Sequence, residues 1–301
     1  MTKREYLLKK FDEDYKGYLE NKIDYIYNPS VIRTEPFKIA DGLYYVGDKK
    51  VCVHLLDTGD GLILIDSGYL GGEHILVDSI WRAGFDPKDI KMIIHTHGHS
   101  DHYGASDEFS RMYGCKLAIS RVDAEWARKR AVDGMIGGKF HPLAKLPQFD
   151  YEIEDGDVIE MGNVKILCVL TPGHTSGVIT LFFDVTYDGK TYRAGLFGGA
   201  GVNALKLTYI YKNDYDEDNA QQMLNSIEKM RGEKVDIHLG NHPANNKTFE
   251  KREKQISEGG NPFIDENSWK TFLDDLEVKV NAIIAENEKL DKEIDELLSN
   301  K

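Results

Sequence analysis

Thr96-His97-Gly98-His99-Ser100-Asp101-His102 lies just past the apolar run Met92-Ile93-Ile94. Imidazole nitrogens and a carboxylate at this density suit zinc and its borderline neighbours. His97 and His99 are two apart, so a strand-like backbone sends both to one side. Asp101 and His102 are consecutive and point apart, which places them to serve a second, adjacent ion. The competing reading is a polar loop of solvated histidines, and the ligand density argues against it.

Two further histidines have similar settings. His174 sits in Thr171-Pro172-Gly173-His174-Thr175 after the apolar run Ile166-Leu170, and His242 sits in Leu239-Gly240-Asn241-His242-Pro243. A histidine just past a strand end, on a loop stiffened by Gly and Pro, is positioned by rigid scaffold. Asp66 ends the run Leu62-Ile65 and opens Asp66-Ser67-Gly68; taken alone it is equally a turn residue. His54, His74, His95, His141 and His238 read as packed or hydrogen-bonded histidines.

Around these loops the pattern alternates between strand and helix periods. An amphipathic helix is expected over residues 4–23 (Leu7, Leu8, Phe11, Tyr15, Leu19, Ile23), ended by Asn28-Pro29-Ser30. Short β runs follow at Phe37-Ile39, Leu43-Val46, Val51-Leu56 and Leu62-Ile65. Next come a helix near 73–83, the strand Lys91-Ile94, and helices near 104–113 and 121–134 flanking a strand at Lys116-Ile119. The second half repeats the order. Strands fall near Asp157-Glu160, Val164-Leu170, Val178-Phe183, Tyr192-Phe197 and Val235-Leu239, and helices near Asp216-Met230, from about 246 and from about 266. Strands then helices, twice over, suggest two sheets packed face to face with helices outside. The organisation expected is an N-terminal helical extension (1–30), a catalytic domain (31–285) and a C-terminal helical tail (286–301).

Within the last helix, Trp269, Leu273, Leu276, Val280, Ile283, Asn287, Leu290, Ile294 and Leu297 follow a heptad seam, with Asn287 at a register-setting position. A homodimer through this seam is one expectation. The other is that Trp269 to Ile284 packs on the chain's own core and the rest is a solvated tail.

Composition narrows the function. The net charge of −13, from 51 acidic against 38 basic residues, disfavours nucleic acid or an anionic membrane as partner. A small-molecule substrate fits better. No run approaches the length that spans a bilayer. Met1–Gly17 has no apolar core of a secretory signal, so the cytoplasm is the expected compartment. Cys52, Cys115 and Cys168 are scattered and odd in number, which implies no disulfide framework.

Taken together, His97 to His102, Asp66 before Ser-Gly, the Thr-Pro-Gly-His element and the late His242 resemble the metallo-β-lactamase superfamily, from about Pro36 to residue 285. Pro36-Phe37-Lys38-Ile39-Ala40, Leu43-Tyr44-Tyr45-Val46-Gly47 and Gly260-Asn261-Pro262-Phe263 make the chain most similar to class B β-lactamases of subclass three. The resemblance implies an α/β fold, a four-layer αββα sandwich of two mixed sheets, with two zinc ions. His97, His99 and His174 would hold the first, and Asp101, His102 and His242 the second. Neither set fills a tetrahedral shell, as in catalytic rather than structural sites. Asp66 would orient a ligand or the bridging water, and Asp101 would orient hydroxide and pass a proton to the leaving atom.

Leu196-Phe197-Gly198-Gly199-Ala200-Gly201 lacks the bridging aspartate or cysteine of other branches, and also the serines that subclass three often has there. Asn203, Tyr209 and Tyr211 are the candidate replacements for substrate contact, and Thr175 and Ser176 the candidate rim. The expectation is a dinuclear zinc hydrolase opening an amide or ester carbonyl, β-lactamase-like. A lactonase or a thioesterase of the glyoxalase II kind is the alternative, and a non-catalytic zinc-stabilised interaction protein the remaining one.

Overall fold

The computed structural model describes residues 1–15, 28–130 and 145–299. Its strands form two sheets. The first runs β1 (Phe37–Ala40), β2 (Leu43–Tyr45), β3 (His54–Asp57), β4 (Leu62–Ile65), β5 (Ile90–Ile94), β6 (Lys116–Ser120) and β7 (Tyr151–Ile153) in sequence order. Pairing is antiparallel from β1 to β4 and parallel from β4 to β7. β8 (Val158–Met161), β9 (Val164–Leu170), β10 (Ile179–Tyr187), β11 (Lys190–Leu196) and β12 (Ile237–Leu239) make the second sheet, ordered β12-β11-β10-β9-β8.

Burial follows from the side-chain period. β4 reads Leu-Ile-Leu-Ile and is buried at every position, as a strand covered on both faces must be. Its Ile63 and Ile65 join Ile166, Cys168, Leu181 and Ile237 from the second sheet in one core between the sheets. Leu62 and Leu64 turn to the opposite side and meet Leu76 and Ile80 of α2 (Glu73–Arg82) and Phe109 of α4 (Ser106–Tyr113). On the far side, Phe182 and Phe197 pack with Met223 and Ile227 of α7 (Asn219–Arg231) and Leu273 and Leu276 of α10 (Ser268–Ser299). The layers are therefore helix, sheet, sheet, helix. Each Leu or Ile fully buried there contributes about 1.5–3 kcal/mol.

β9, β11 and β12 point the same way, because β10 is antiparallel to β9 and β11 while β12 is parallel to β11. β4 and β5 are likewise parallel. The loops leaving these strands carry Asp66, the 95–102 stretch, His174, the 197–201 turn and His242. The remaining helices include α1 (Lys3–Asp14), α3 (Ser100–Tyr103), α5 (Arg121–Arg130), α6 (Leu207–Asn213), α8 (Pro243–Asn246) and α9 (Thr248–Glu258).

Departures from the sequence reading have local causes. The helix of α1 is capped by Thr2, whose Oγ1 accepts from Glu5 N–H while the Glu5 carboxylate accepts from Thr2 N–H. The rest of the span to 23, with Leu19 and Ile23, lies outside the described residues, as do the end of the helix expected to 134 and His141. The strand β7 is too short to carry a period. α6, Leu-Thr-Tyr-Ile-Tyr-Lys-Asn, has β-like composition but turns as a helix that packs Leu207 on α1 and α10.

The heptad seam packs within the chain over most of its length. Trp269, Leu273, Leu276, Val280 and Ile283 pack on α7 and the second sheet, and Ile294 is fully buried with Leu7 and Leu207. Asn287 accepts the Leu207 N–H at 3.0 Å and donates to the Leu205 carbonyl at 2.8 Å. The seam's polar residue sets the register of α10 against this chain's own α6 turn. Among the described residues no helix is long and apolar enough to cross a membrane.

Candidate metal centre

The loop after β5 begins with His95, fully buried, whose Nδ1 donates to the Ala118 carbonyl at 2.8 Å while Nε2 lies 2.6 Å from Ser106 Oγ. Both nitrogens are committed inside the scaffold. Beyond it the chain turns His97, His99, Asp101 and His102 toward the loops from β9 and β12. Donor atoms of His97, His99 and His174 form one group of three, and those of Asp101, His102 and His242 a second. Within each group all atoms lie within 4.8 Å of one another.

The ring orientations are fixed from behind. His97 Nδ1 is 3.1 Å from Thr96 Oγ1, His174 Nδ1 is 2.6 Å from the Gly201 carbonyl, and His242 Nδ1 is 2.7 Å from the Lys50 carbonyl. His99 differs, placing Nε2 2.6 Å from the Tyr215 hydroxyl and Nδ1 3.2 Å from His97 Nε2. His102 Nδ1 is 2.7 Å from Asp66 Oδ2, and its Nε2 is 3.8 Å from Asp101 Oδ2. His242 Nε2 stands 3.9 Å from the same Asp101 oxygen. One nitrogen of each ring is thus hydrogen-bonded to protein and the opposite nitrogen is turned into the cluster. This is how scaffolds present histidines to metals.

The electrostatics agree. Burial, reinforced by the neighbouring histidines, holds His97 well below its ordinary pKa. Burial brings His174 down to about 4 and also lowers His242. Neutral imidazole is the form that ligates a cation. The donor set of five imidazoles and one carboxylate therefore fits two borderline divalent ions, with room left in each shell.

Asp66 serves the cluster from beneath. It stands just past β4 with a left-handed backbone (φ 63°), a conformation more accessible to Asp than to most residues. Oδ1 accepts the Thr96 N–H at 2.7 Å, and Oδ2 accepts the Thr96 hydroxyl at 2.9 Å beside His102. The Thr-Pro-Gly-His turn uses Gly173 (φ 152°) where a Cβ would fall 2.6 Å from the Met223 side chain of α7.

Candidates for substrate contact disperse. Thr175, expected at the rim, is buried, and its hydroxyl donates to Asp123 at 2.6 Å. Tyr211 donates to Glu217 and has the Lys3 ammonium over its ring, on the side of α1. Ser176 is half-buried and donates to Asp216. Tyr209 stays near, its ring centroid 6.4 Å from that of His99. Asn203 shares its surroundings with Gly201 and the His174 ring.

Three residues absent from the sequence reading help build the site. Asp123 in α5 accepts the Gly98 N–H at 2.6 Å, the Gly177 N–H at 2.9 Å and the Thr175 hydroxyl, tying the histidine loop to the loop after β9. Burial pushes its pKa up to about 6 against those hydrogen bonds. Tyr215 and Trp126 pack beside His99, with ring centroids each 6.2 Å from it. None of the three lies in a spacing that announces itself.

Residues 47–186 match the family model described as the Metallo-beta-lactamase superfamily. A hydroxyacylglutathione hydrolase of Chelativorans sp. is 30% identical over 111 residues, covering 37% of this chain and 35% of that protein. An N-acyl homoserine lactonase of Bacillus thuringiensis is 26% identical over 163 residues, 46% of this chain and 60% of the relative. The chain thus spans less than two thirds of the length of these curated relatives. Among solved structures, a subclass B3 metallo-beta-lactamase of Bradyrhizobium japonicum superposes with a TM-score of 0.75 at 26% identity, covering 86% of this chain and 97% of that one.

Proposed function

We propose that this chain, whose residues 47–186 match the metallo-β-lactamase superfamily model, is a hydrolase that opens a carbonyl bond of a small molecule at a dinuclear zinc centre. The observation that carries the reading is the pair of three-donor groups, one of three histidines and one of two histidines and Asp101. Two bound divalent ions would supply Lewis-acid polarisation of a carbonyl and lower the pKa of water from about 15.7 to about 7.

The protein's own part is positional. His97, His99 and His174 would hold one ion, and Asp101, His102 and His242 the other. Asp66, through Nδ1 of His102, keeps that ring's Nε2 directed inward. Asp101 would orient the attacking water and move its proton to the leaving atom. Tyr209 and Asn203, at the edge of the first group, are the proposed substrate contacts. Tyr211, Thr175 and Ser176 have other partners, which argues against that role for them.

A β-lactam amide is the leading substrate, supported by the likeness to the subclass B3 structure over most of its length. A lactone or thioester is the second reading. It is favoured by the Gly198-Gly199-Ala200-Gly201 turn, which offers no hydroxyl to a lactam carboxylate. Turnover of nitrocefin, N-hexanoyl homoserine lactone and S-lactoylglutathione by zinc-loaded protein decides between them. Activity is expected to vanish on chelation and return with zinc; full turnover by metal-free protein would overturn the proposal.

A further inference from the structure

We propose that the cleft between α8, α9 and α10 is a binding site for a small organic anion, a carboxylate or phosphate ester, distinct from the metal-ligating groups. The cleft has a volume of about 300 Å³. That is the small end of ligand pockets, suited to a compound of a few carbons.

Its character comes from lysines. Lys251 is only 8% exposed, yet its ammonium has one hydrogen bond, to Ser268 Oγ at 3.1 Å, with Asp265 at 4.0 Å. An ammonium carries three donors, and burying it with so few acceptors is costly. The cleft is the open space beside it. Burial holds the Lys251 pKa below its ordinary value, and the nearby Lys247 adds to that effect. An anion between the two would relieve both.

Lys247 and Lys279 also line the cleft, and neither makes an ion pair among the described residues. Asp265 and Asp275 oppose them, but Asp265 already accepts the Asn267 N–H at 3.1 Å. Three lysines against two aspartates leave the lining net positive in a chain of net charge −13. Such a reversal concentrates anions locally.

The cleft also touches the metal-site loops from the side. Asn245 lines it, and its Oδ1 accepts the His242 N–H at 2.9 Å. Ala200, on another wall, precedes the glycine whose carbonyl holds His174. An occupant would rest on the two turns that present these histidines.

The test is calorimetric titration of zinc-loaded, full-length protein with glycerol 3-phosphate and, separately, glutarate. The same titrations are repeated after the zinc has been removed and the chelator dialysed away. Saturable binding of at least one probe is expected with and without zinc, and the tighter probe identifies the headgroup. Lys251→Met and Lys279→Gln are each expected to weaken it about tenfold, the effect of losing one charge-assisted contact. Lys279 is exposed, so that variant reports on binding even where Lys251→Met disturbs folding. The proposal is overturned by absence of saturable binding for both probes, by binding that disappears with the zinc, or by unchanged affinity in Lys279→Gln. None of these outcomes depends on whether the protein hydrolyses anything.

Discussion

Asp66 Oδ2 lies 2.7 Å from His102 Nδ1, and both side chains are essentially without solvent contact. The carboxylate at the end of β4 therefore decides which nitrogen of His102 faces Asp101 and His242. Asp66→Ala would release the ring and strand the Thr96 N–H. Zinc affinity is expected to fall about 10–100-fold, the usual cost of losing such a partner. Competition against a fluorescent chelator measures it, and an unchanged affinity would remove Asp66 from the account.

Asp123 ties two site loops together without being a proposed ligand. Asp123→Asn keeps the shape but turns an NH2 group toward donors that need an acceptor. A loss of about 1–3 kcal/mol is expected from urea unfolding at neutral pH. The pH sign is distinctive. With its folded pKa raised to about 6, the folded chain holds a proton that the unfolded chain has released. The group's contribution to stability therefore falls as pH rises from about 4 to 6, and the variant should lose this component.

Buried histidines outside the cluster have the opposite effect. Burial lowers His54 and His95 to about 4 and His238 to about 3. The unfolded chain takes up protons near the ordinary value of about 6.5, before the folded chain does. Stability is therefore complete above that pH and is lost as pH falls toward 4. Replacing His238 by Asn should flatten the dependence between pH 6.5 and 4 by up to about 1.4 kcal/mol per pH unit. Urea titrations at stepped pH read this directly, and parallel slopes for the two proteins would contradict it.

Asn287 bonds two backbone groups at the start of α6. Truncation after Glu286 removes it, together with Ile294, which is buried against Leu7 and Leu207. The shortened chain should melt earlier. Protection of α1 and α6 amides from hydrogen exchange should fall more than that of the sheets. Uniform protection in the two proteins would show that these contacts carry no local stability.

The chemistry was easier to read from sequence than the supports around it. A metal demands particular donors, so His97 to His102 stands out in any fold, and β4, β5 and β9 announce themselves by apolar runs of strand length. The positions after strands made His174 and His242 candidates, but their approach to the loop depends on strand directions that no single segment encodes. Asp123 is legible only in three dimensions, since its partners lie 25 to 54 residues away. The inward turn of Thr175 follows from that same carboxylate. α6 has no reading in the sequence, because packing on α1 and α10, rather than its own β-like composition, makes it a helix. The heptad in α10 reads the same whether its partner is another molecule or the chain's own core.

Gly199 and Gly201 flank the third histidine so closely that a Cβ would fall 3.0 Å and 2.8 Å from the His174 side chain. Directed evolution toward a new substrate would thus find these two codons nearly closed, since alanine at Gly201 must displace His174 and alanine at Gly199 would press on both Val178 and His174. New specificity has easier entry at Asn203 and Tyr209, where side chains already stand at the edge.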